Sequence, residues 1–200
     1  MISAEFTQEV GGIYRLKVPF EELYTSVFLV EFDGKHALVD CATTSEDVDG
    51  YIIPALEKMG ISPKEVEYIV ITHGHGDHAG GLPRVLELMP SITVIRGEVR
   101  EISQGVSTYA LPGHTDKLIG VLDERSGSLI TGDGLQGAGV GKYRTNAPNR
   151  AAYLETLEKI RRDGRVKNLL MSHAYEPWYE DAIFGRDEVL AALDVCERYV

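Results

Sequence analysis

The sequence has little cysteine and no long apolar segment. Its 200 residues include two cysteines, Cys41 and Cys196, which lie far apart and form no Cys-x-x-Cys pair. A disulfide framework, a thiolate zinc site and thioredoxin-type chemistry therefore lack support. We expect both thiols to be buried structural groups.

Positive charge is also scarce, because 20 Lys and Arg face 31 Asp and Glu, for a formal net charge of −11. Binding to nucleic acid or to anionic lipid rests on clustered Lys and Arg, so neither is an expected partner. The N-terminus has no basic segment followed by an apolar one, and no apolar run approaches the ~20 residues of a membrane helix. The expected partner is a small-molecule substrate and the expected location is the cytoplasm, while the sequence leaves the oligomeric state open.

The length fits one domain over residues 1–200, and 44% hydrophobic residues suffice for a sizeable core. Apolar residues at every second position, or in a short continuous run, predict strands, and apolar residues repeating about every 3.6 positions predict helices. The predicted strands are 13–18, 26–32, 35–40, 68–71, 93–96, 107–111, 119–123, 128–131 and 168–172; the predicted helices are 51–59, 82–89, 150–162 and 187–199. Two runs of strands interleaved with helices predict an α/β fold with two mixed sheets packed face to face and helices outside.

A cluster of potential metal ligands follows the predicted strand 68–71, in the order His73-Gly74-His75-Gly76-Asp77-His78. Imidazole and carboxylate together suit zinc, iron or manganese, and the glycines allow a tight loop to turn several side chains towards one point. Further candidates stand at or just after the ends of later strands, namely His114, Asp133 and His173. Strand-end loops are where rigid scaffolds collect functional groups.

In order and placement, these motifs resemble the metal-binding signature of the metallo-β-lactamase superfamily. The resemblance implies an αββα sandwich that holds two divalent ions, with zinc expected and iron or manganese as alternatives. It implies that Asp40, at the end of the strand 35–40, supports the loop by hydrogen bonding. It also implies catalytic roles for Asp77 and Asp133. The implied ligands are His73, His75 and His114 for one ion, Asp77, His78 and His173 for the other, and Asp133 as the bridge.

Ligands shared between two ions leave coordination positions open, and open positions distinguish catalytic sites from structural ones. Metal coordination lowers the pKa of water from 15.7 to ≈ 7, so a metal-bridged hydroxide becomes available as a nucleophile. The predicted activity is hydrolysis of a small thioester or ester.

A second resemblance concerns the substrate. The segment Gly139-Val140-Gly141-Lys142-Tyr143 and the tripeptide ending in Tyr175 are similar to segments of glyoxalase II, a thioesterase acting on a glutathione conjugate. That similarity implies that Lys142, Tyr143 and Tyr175, with Arg144 as a further candidate, bind an anionic thiol carrier. The chain departs from glyoxalase II in having one predicted helix after Tyr175, where glyoxalase II has a helical domain. It also has Asp116-Lys117 where the family usually has small residues.

Several alternatives remain open. A lactonase of this fold is expected to have Tyr shortly after Asp133, where this chain has Gly134-Leu135-Gln136. A phosphodiesterase would use the same metals, although the net charge disfavours a polynucleotide substrate. A persulfide dioxygenase of this fold would bind a single iron through two His and one Asp, whereas the retained Asp77, His78 and His173 permit two ions. A non-enzymatic metal-binding module is the remaining alternative.

Overall fold

The structure is a computed structural model that describes residues 3–135, 149–175, 180–198 and 200. The chain forms two compact units, Met1–Arg96 and Gly97–Val200. Each unit contains one mixed six-stranded sheet with helices, as the sequence pattern predicts. The single domain over residues 1–200 stays a prediction. Within the described ranges, no helix is long and apolar enough to cross a membrane.

The first unit is a sheet whose strands follow one another in sequence order. Its first four strands are antiparallel neighbours, and the last three run parallel to one another. Asp33 and Gly34 both have positive φ, 47° and 73°, which is the conformation that a two-residue type I′ hairpin requires. The predicted turn is confirmed. The strands are β1 (Thr7–Val10), β2 (Ile13–Phe20), β3 (Leu23–Phe32), β4 (Lys35–Val39), β5 (Val66–Ile71) and β6 (Thr93–Arg96).

The first helical segment begins at Ser45, so its predicted start at residue 51 is wrong. Thr44 forms a capping box at the true start, a signal that the apolar pattern did not contain. A π-helical turn then precedes Pro54, whose ring and missing N–H disfavour a regular α-helical turn before it. The segment consists of α1 (Ser45–Asp47), the π-helical turn (Val48–Ile52) and α2 (Ile53–Lys58).

Three short helical elements complete the first unit: a 3₁₀ turn (Pro63–Glu65), α3 (Gly76–Ala79) and α4 (Leu82–Leu88). One face of the sheet buries alternate residues such as Leu16, Val27 and Leu29 in the same core as α2 and α4 residues. This core fixes the helices against the strands whose ends carry the predicted metal loop.

The second unit has the strand order β12-β11-β10-β9-β8-β7. Only the β10–β11 pair is parallel among these described strands. The prediction missed the edge strands β1, β7 and β12, because runs of three or four residues are too short to show clear alternation. The elements are β7 (Glu101–Ser103), β8 (Val106–Ala110), β9 (Ile119–Asp123), β10 (Ser128–Gly132), α5 (Arg150–Arg162), β11 (Asn168–Met171), β12 (Ala182–Phe184) and α6 (Arg186–Arg198).

The join between α3 and α4 packs directly on the chain that leaves β4. A Cβ added at Gly80 would lie 1.9 Å from the carbonyl oxygen of Thr43, and one at Gly81 would lie 2.2 Å from that of Cys41. The Cys41 N–H also donates to the His78 carbonyl oxygen at 2.9 Å. The glycine pair therefore permits backbone-to-backbone contact between the β4 end and the metal loop.

Substituting Gly80→Ala should lower the free energy of unfolding by at least about 2 kcal/mol, because the clash is with backbone that cannot rotate away. The matched control is Gly76→Ala in the same loop, where an added Cβ meets nothing within 4 Å. That control should change stability by less than about 1 kcal/mol. Urea unfolding of the two variants measures the difference, and equal midpoints would contradict the close-packing account.

Candidate metal centre

The carboxyl ends of β4 and β5 place Asp40 beside the start of the metal loop. These strands are parallel neighbours with Val39 opposite Val70, so the residues that follow them emerge at the same sheet edge. The Thr72 N–H donates to Asp40 Oδ1 at 2.8 Å, and the Thr72 hydroxyl donates to Asp40 Oδ2 at 2.8 Å. Both side chains are buried. The prediction that Asp40 supports the loop agrees with this geometry.

Asp40 also sets the orientation of His78. Its Oδ2 lies 2.7 Å from His78 Nδ1, with both side chains almost fully buried. A carboxylate only accepts hydrogen bonds, so in this pair Nδ1 carries the proton. The Nε2 atom of neutral His78 then keeps its lone pair, which is the form that binds a metal.

Thr72 determines in the same way which ring nitrogen of His73 carries the proton. The Thr72 hydroxyl has one proton and donates it to Asp40, so it accepts from His73 Nδ1, which lies 3.1 Å away. His73 Nδ1 is therefore protonated and Nε2 is free of a proton. One buried carboxylate thus selects the ligand tautomer of two histidines. Sequence reasoning missed Thr72, although its position directly before His73 in the motif was a usable signal.

The loop geometry at Asp40 is strained. Asp40 has φ 64° and Ala42 has φ 61°, in the left-handed region that costs most residues of order 1–3 kcal/mol. The Asp40 N–H donates to the Val70 carbonyl oxygen at 2.8 Å, which ties the strained residue to β5. The backbone turn aims the carboxylate at Thr72 and His78.

Ligand atoms of the first unit are spaced as they would be around a metal ion. His73 Nε2 lies 3.0 Å from His75 Nδ1, and His78 Nε2 lies 3.2 Å from an Asp77 oxygen. Zn–N bonds of 2.0–2.1 Å in a tetrahedral site put neighbouring donor atoms about 3.3 Å apart. His75 is exposed, so this side is open to solvent. These His and Asp side chains fit a metal ion by donor type and by spacing.

Asp77 and His78 lie in α3 rather than on an irregular loop, which corrects the prediction of a strand-to-helix loop for the whole motif. Asp77 is held from a distant strand, because the Thr25 hydroxyl of β3 donates to its Oδ2 at 3.3 Å. No local pattern in the sequence signals Thr25, which lies far from Asp77 along the chain.

The second unit gathers its own three candidates at strand ends. Asp133 follows β10 and His173 comes just after β11, and the two strands are parallel neighbours. Asp133 Oδ1 lies 3.3 Å from His173 Nε2, and Asp133 Oδ2 lies 3.7 Å from His114 Nε2. The two oxygens of one carboxylate therefore face different histidines. All three residues are buried.

His114 depends on an unusual backbone conformation at its neighbour. Gly113 has φ 149°, and an added Cβ would lie 2.8 Å from the Tyr153 side chain of α5. The Pro-Gly-His sequence is thus packed against a buried helix face, which positions the imidazole.

Only one of the predicted substrate-binding residues, Tyr175, lies among the described residues. The Tyr175 ring lies 4.8 Å from the His173 ring, centroid to centroid, while Lys142, Tyr143 and Arg144 lie outside the described residues. Cys41 and Cys196 are buried, as predicted, and form no disulfide with each other. Burial, and then the charge of Asp40, raise the pKa of the Cys41 thiol well above its ordinary value.

Comparisons with known proteins agree with this geometry. A sequence model of the metallo-β-lactamase superfamily matches residues 21–89, which include Asp40 and the loop from His73 to His78. The metallo-β-lactamase FIM-1 from Pseudomonas aeruginosa, in its mono-zinc form, has the same fold, with TM-score 0.74 and 16% identity over 96% of this chain and 94% of that one.

Relatives with similar sequences include several hydrolases. A hydroxyacylglutathione hydrolase from Vibrio campbellii is 28% identical over 138 residues, 61% of this chain and 53% of the relative. A ribonuclease Z from Clostridium botulinum is 31% identical over 97 residues, 45% of this chain and 29% of the relative. The chain spans about half or less of the length of these relatives.

The structural likeness confirms the predicted metallo-β-lactamase fold. Residues 21–89 are similar to the metallo-β-lactamase superfamily, in agreement with the predicted resemblance.

Substituting Thr72→Val should weaken the binding of added zinc, used as a probe metal, about tenfold, because the His73 Nδ1–H loses its acceptor and Asp40 loses a donor. The matched control is Thr93→Val, the same isosteric change at an exposed β6 position. Competition with a chromophoric zinc chelator measures both affinities. Equal affinity in the two variants would show that Thr72 does not control the ligand tautomer.

Proposed function

We propose that the protein is a binuclear metal-dependent hydrolase that cleaves a small thioester or ester. The observation that carries this proposal is the Asp133 carboxylate, whose two oxygens face His114 and His173 separately. A carboxylate in that arrangement can serve two ions at once, as the predicted bridge requires.

The remaining donors divide in the same way. His73 and His75 offer one close pair of donor atoms, and Asp77 and His78 offer another. The proposed ion sites take one pair each. The residues that would hold the ions are His73, His75 and His114 for the first, Asp77, His78 and His173 for the second, and Asp133 for both.

When bound, two divalent ions, zinc in this proposal, would supply an acidified water and polarise the acyl carbonyl group. The protein's own groups supply the orientation. Asp40 holds His78, and through Thr72 it holds His73, in tautomers that present Nε2. Buried Asp133 holds a negative charge between two histidines, and the exposed side at His75 gives a substrate access.

The thioester preference rests on similarity rather than on the metal ligands. The hydroxyacylglutathione hydrolase relative and the glyoxalase II-like segments both favour an anionic thiol carrier. Lys142, Tyr143 and Tyr175 are the proposed carrier-binding residues. Cations and phenol groups suit such a carrier, because they donate charge-assisted hydrogen bonds to carboxylates.

Substituting Asp133→Asn or His75→Ala should lower thioester hydrolysis at least about a hundredfold, since even partners outside the ligand set typically cost 10–100-fold. The control is Asp187→Asn, the same change at an exposed position in the first turn of α6. Hydrolysis of S-acetylglutathione and of p-nitrophenyl acetate, with circular dichroism to check folding, measures the effect.

Metal analysis separates the proposal from the oxidative alternative. The expected result is two zinc ions per chain and hydrolysis without oxygen consumption. One iron ion per chain, with oxygen consumed when a glutathione persulfide is the substrate, would show that the activity is dioxygenation and not hydrolysis. If the Asp133→Asn variant turned over substrate at the wild-type rate, Asp133 would not be the bridging ligand.

A further inference from the structure

Asp77 lies outside the set of hydrogen bonds that Asp40 makes to Thr72 and His78. It belongs to α3, a helix of four residues with no side-chain hydrogen bond from its N-cap residue, His75. One helical turn fixes the backbone of Asp77 but leaves more than one side-chain rotamer open to it. The contacts of the Asp77 side chain therefore decide where its carboxylate points.

Thr25 supplies such a contact from β3. Its hydroxyl donates to Asp77 Oδ2 at 3.3 Å, and the residue is 1% exposed. Alternate residues of a strand point to the same face, so Thr25 shares its face with Val27 and Leu29. Those two residues belong to the core against which Ala79 of α3 packs. The Thr25 hydroxyl thus lies on the face of the sheet that the helices cover.

The side chain of Thr25 is itself held in place. Threonine is β-branched, so its χ1 angle is restricted and the strand backbone sets the direction of its hydroxyl. In the strand register Thr25 lies opposite Val18, which is also 1% exposed. Close packing at this position leaves the hydroxyl little freedom to turn away from Asp77.

The Asp77 oxygen that accepts from Thr25 also lies beside His78. Oδ2 is 3.2 Å from His78 Nε2, close to the spacing of about 3.3 Å between donor atoms of a tetrahedral zinc site. A carboxylate oxygen offers two lone pairs, so Oδ2 can accept from the Thr25 hydroxyl and still bind a cation. The hydrogen bond from β3 therefore holds the oxygen where a metal ion shared with His78 would need it.

We propose that Thr25 is a positioning residue for metal binding: through Oδ2 of Asp77, it sets the affinity for the ion that Asp77 and His78 would hold. This inference rests on the proposed function, because it requires Asp77 to be a metal ligand. Partners that hydrogen-bond to metal ligands typically contribute 10–100-fold in metal affinity. The Thr25 contact is long for a hydroxyl donor, so the expected effect is at the lower end, about tenfold.

Four variants separate the hydroxyl from the rest of the side chain. Thr25→Val removes the hydroxyl and keeps the shape, whereas Thr25→Ser keeps the hydroxyl and removes the methyl group. Thr25→Ala removes both, so its comparison with Thr25→Ser isolates the hydroxyl should the Val variant fail to fold. The control is Thr108→Val, which removes an equally buried hydroxyl that donates to the Glu98 carbonyl oxygen at 2.7 Å in the second unit.

Titration of the metal-free protein with zinc, in competition with a chromophoric chelator, measures the affinity for each ion. Thr25→Val and Thr25→Ala should each weaken the binding of one zinc ion about tenfold and leave the other unchanged. Thr25→Ser and Thr108→Val should bind both ions with the wild-type affinity. A merely structural hydroxyl would lower the free energy of unfolding without changing zinc affinity, and urea unfolding of the metal-free variants detects that case.

Wild-type affinity for both ions in Thr25→Val and Thr25→Ala would overturn the inference and leave the binuclear hydrolase intact. Equal weakening in Thr25→Ser would also overturn it, because the loss would then come from the methyl group. If the wild type binds a single zinc ion, the binuclear proposal fails, and the inference holds only if Thr25→Val weakens that ion. If the wild type binds no zinc, both proposals fail.

Discussion

The structure around the candidate site depends on one buried carboxylate, Asp40. It accepts hydrogen bonds from the Thr72 N–H, the Thr72 hydroxyl and His78 Nδ1. An unsatisfied partner in such a network costs about 1–3 kcal/mol, so the three bonds select one arrangement of the loop. The strained φ of Asp40 is sustained by those bonds and by its own N–H, which donates to Val70. The hydrogen bonds of the Asp40 side chain therefore both sustain its strained backbone and select the tautomers of His73 and His78.

The two units supply their ligands in different ways. The first unit packs four candidate donors into six consecutive residues, of which Asp77 and His78 lie in the short helix α3. The second unit draws Asp133 and His173 from neighbouring parallel strands, so the sheet itself sets their separation. Rigid strands hold such groups with less entropy loss than loops do. The less rigid loop of the first unit is the one that needs the Asp40 network.

Much of this architecture follows from local patterns. Alternation and turn chemistry predicted the Asp33-Gly34 hairpin, and the candidate ligands His114, Asp133 and His173 lie close together. The early start at Ser45 was missed because a capping box outweighed the apolar pattern. Thr25 was missed for a different reason: its contact with Asp77 joins distant parts of the chain. Contacts of that kind depend on strand pairing, which no single window of sequence contains.

The comparisons do not distinguish one substrate from another at the metal motif. The superfamily match covers residues 21–89, a segment that holds Asp40 and the first four candidate donors but not His114, Asp133 or His173. Relatives named as a ribonuclease Z and as a hydroxyacylglutathione hydrolase match parts of this chain at similar identity. The property that bears on the choice between these two kinds of substrate is charge. A formal net charge of −11 makes binding of a polynucleotide unfavourable, because such binding rests on clustered Lys and Arg. The proposed small substrate does not require such a cluster.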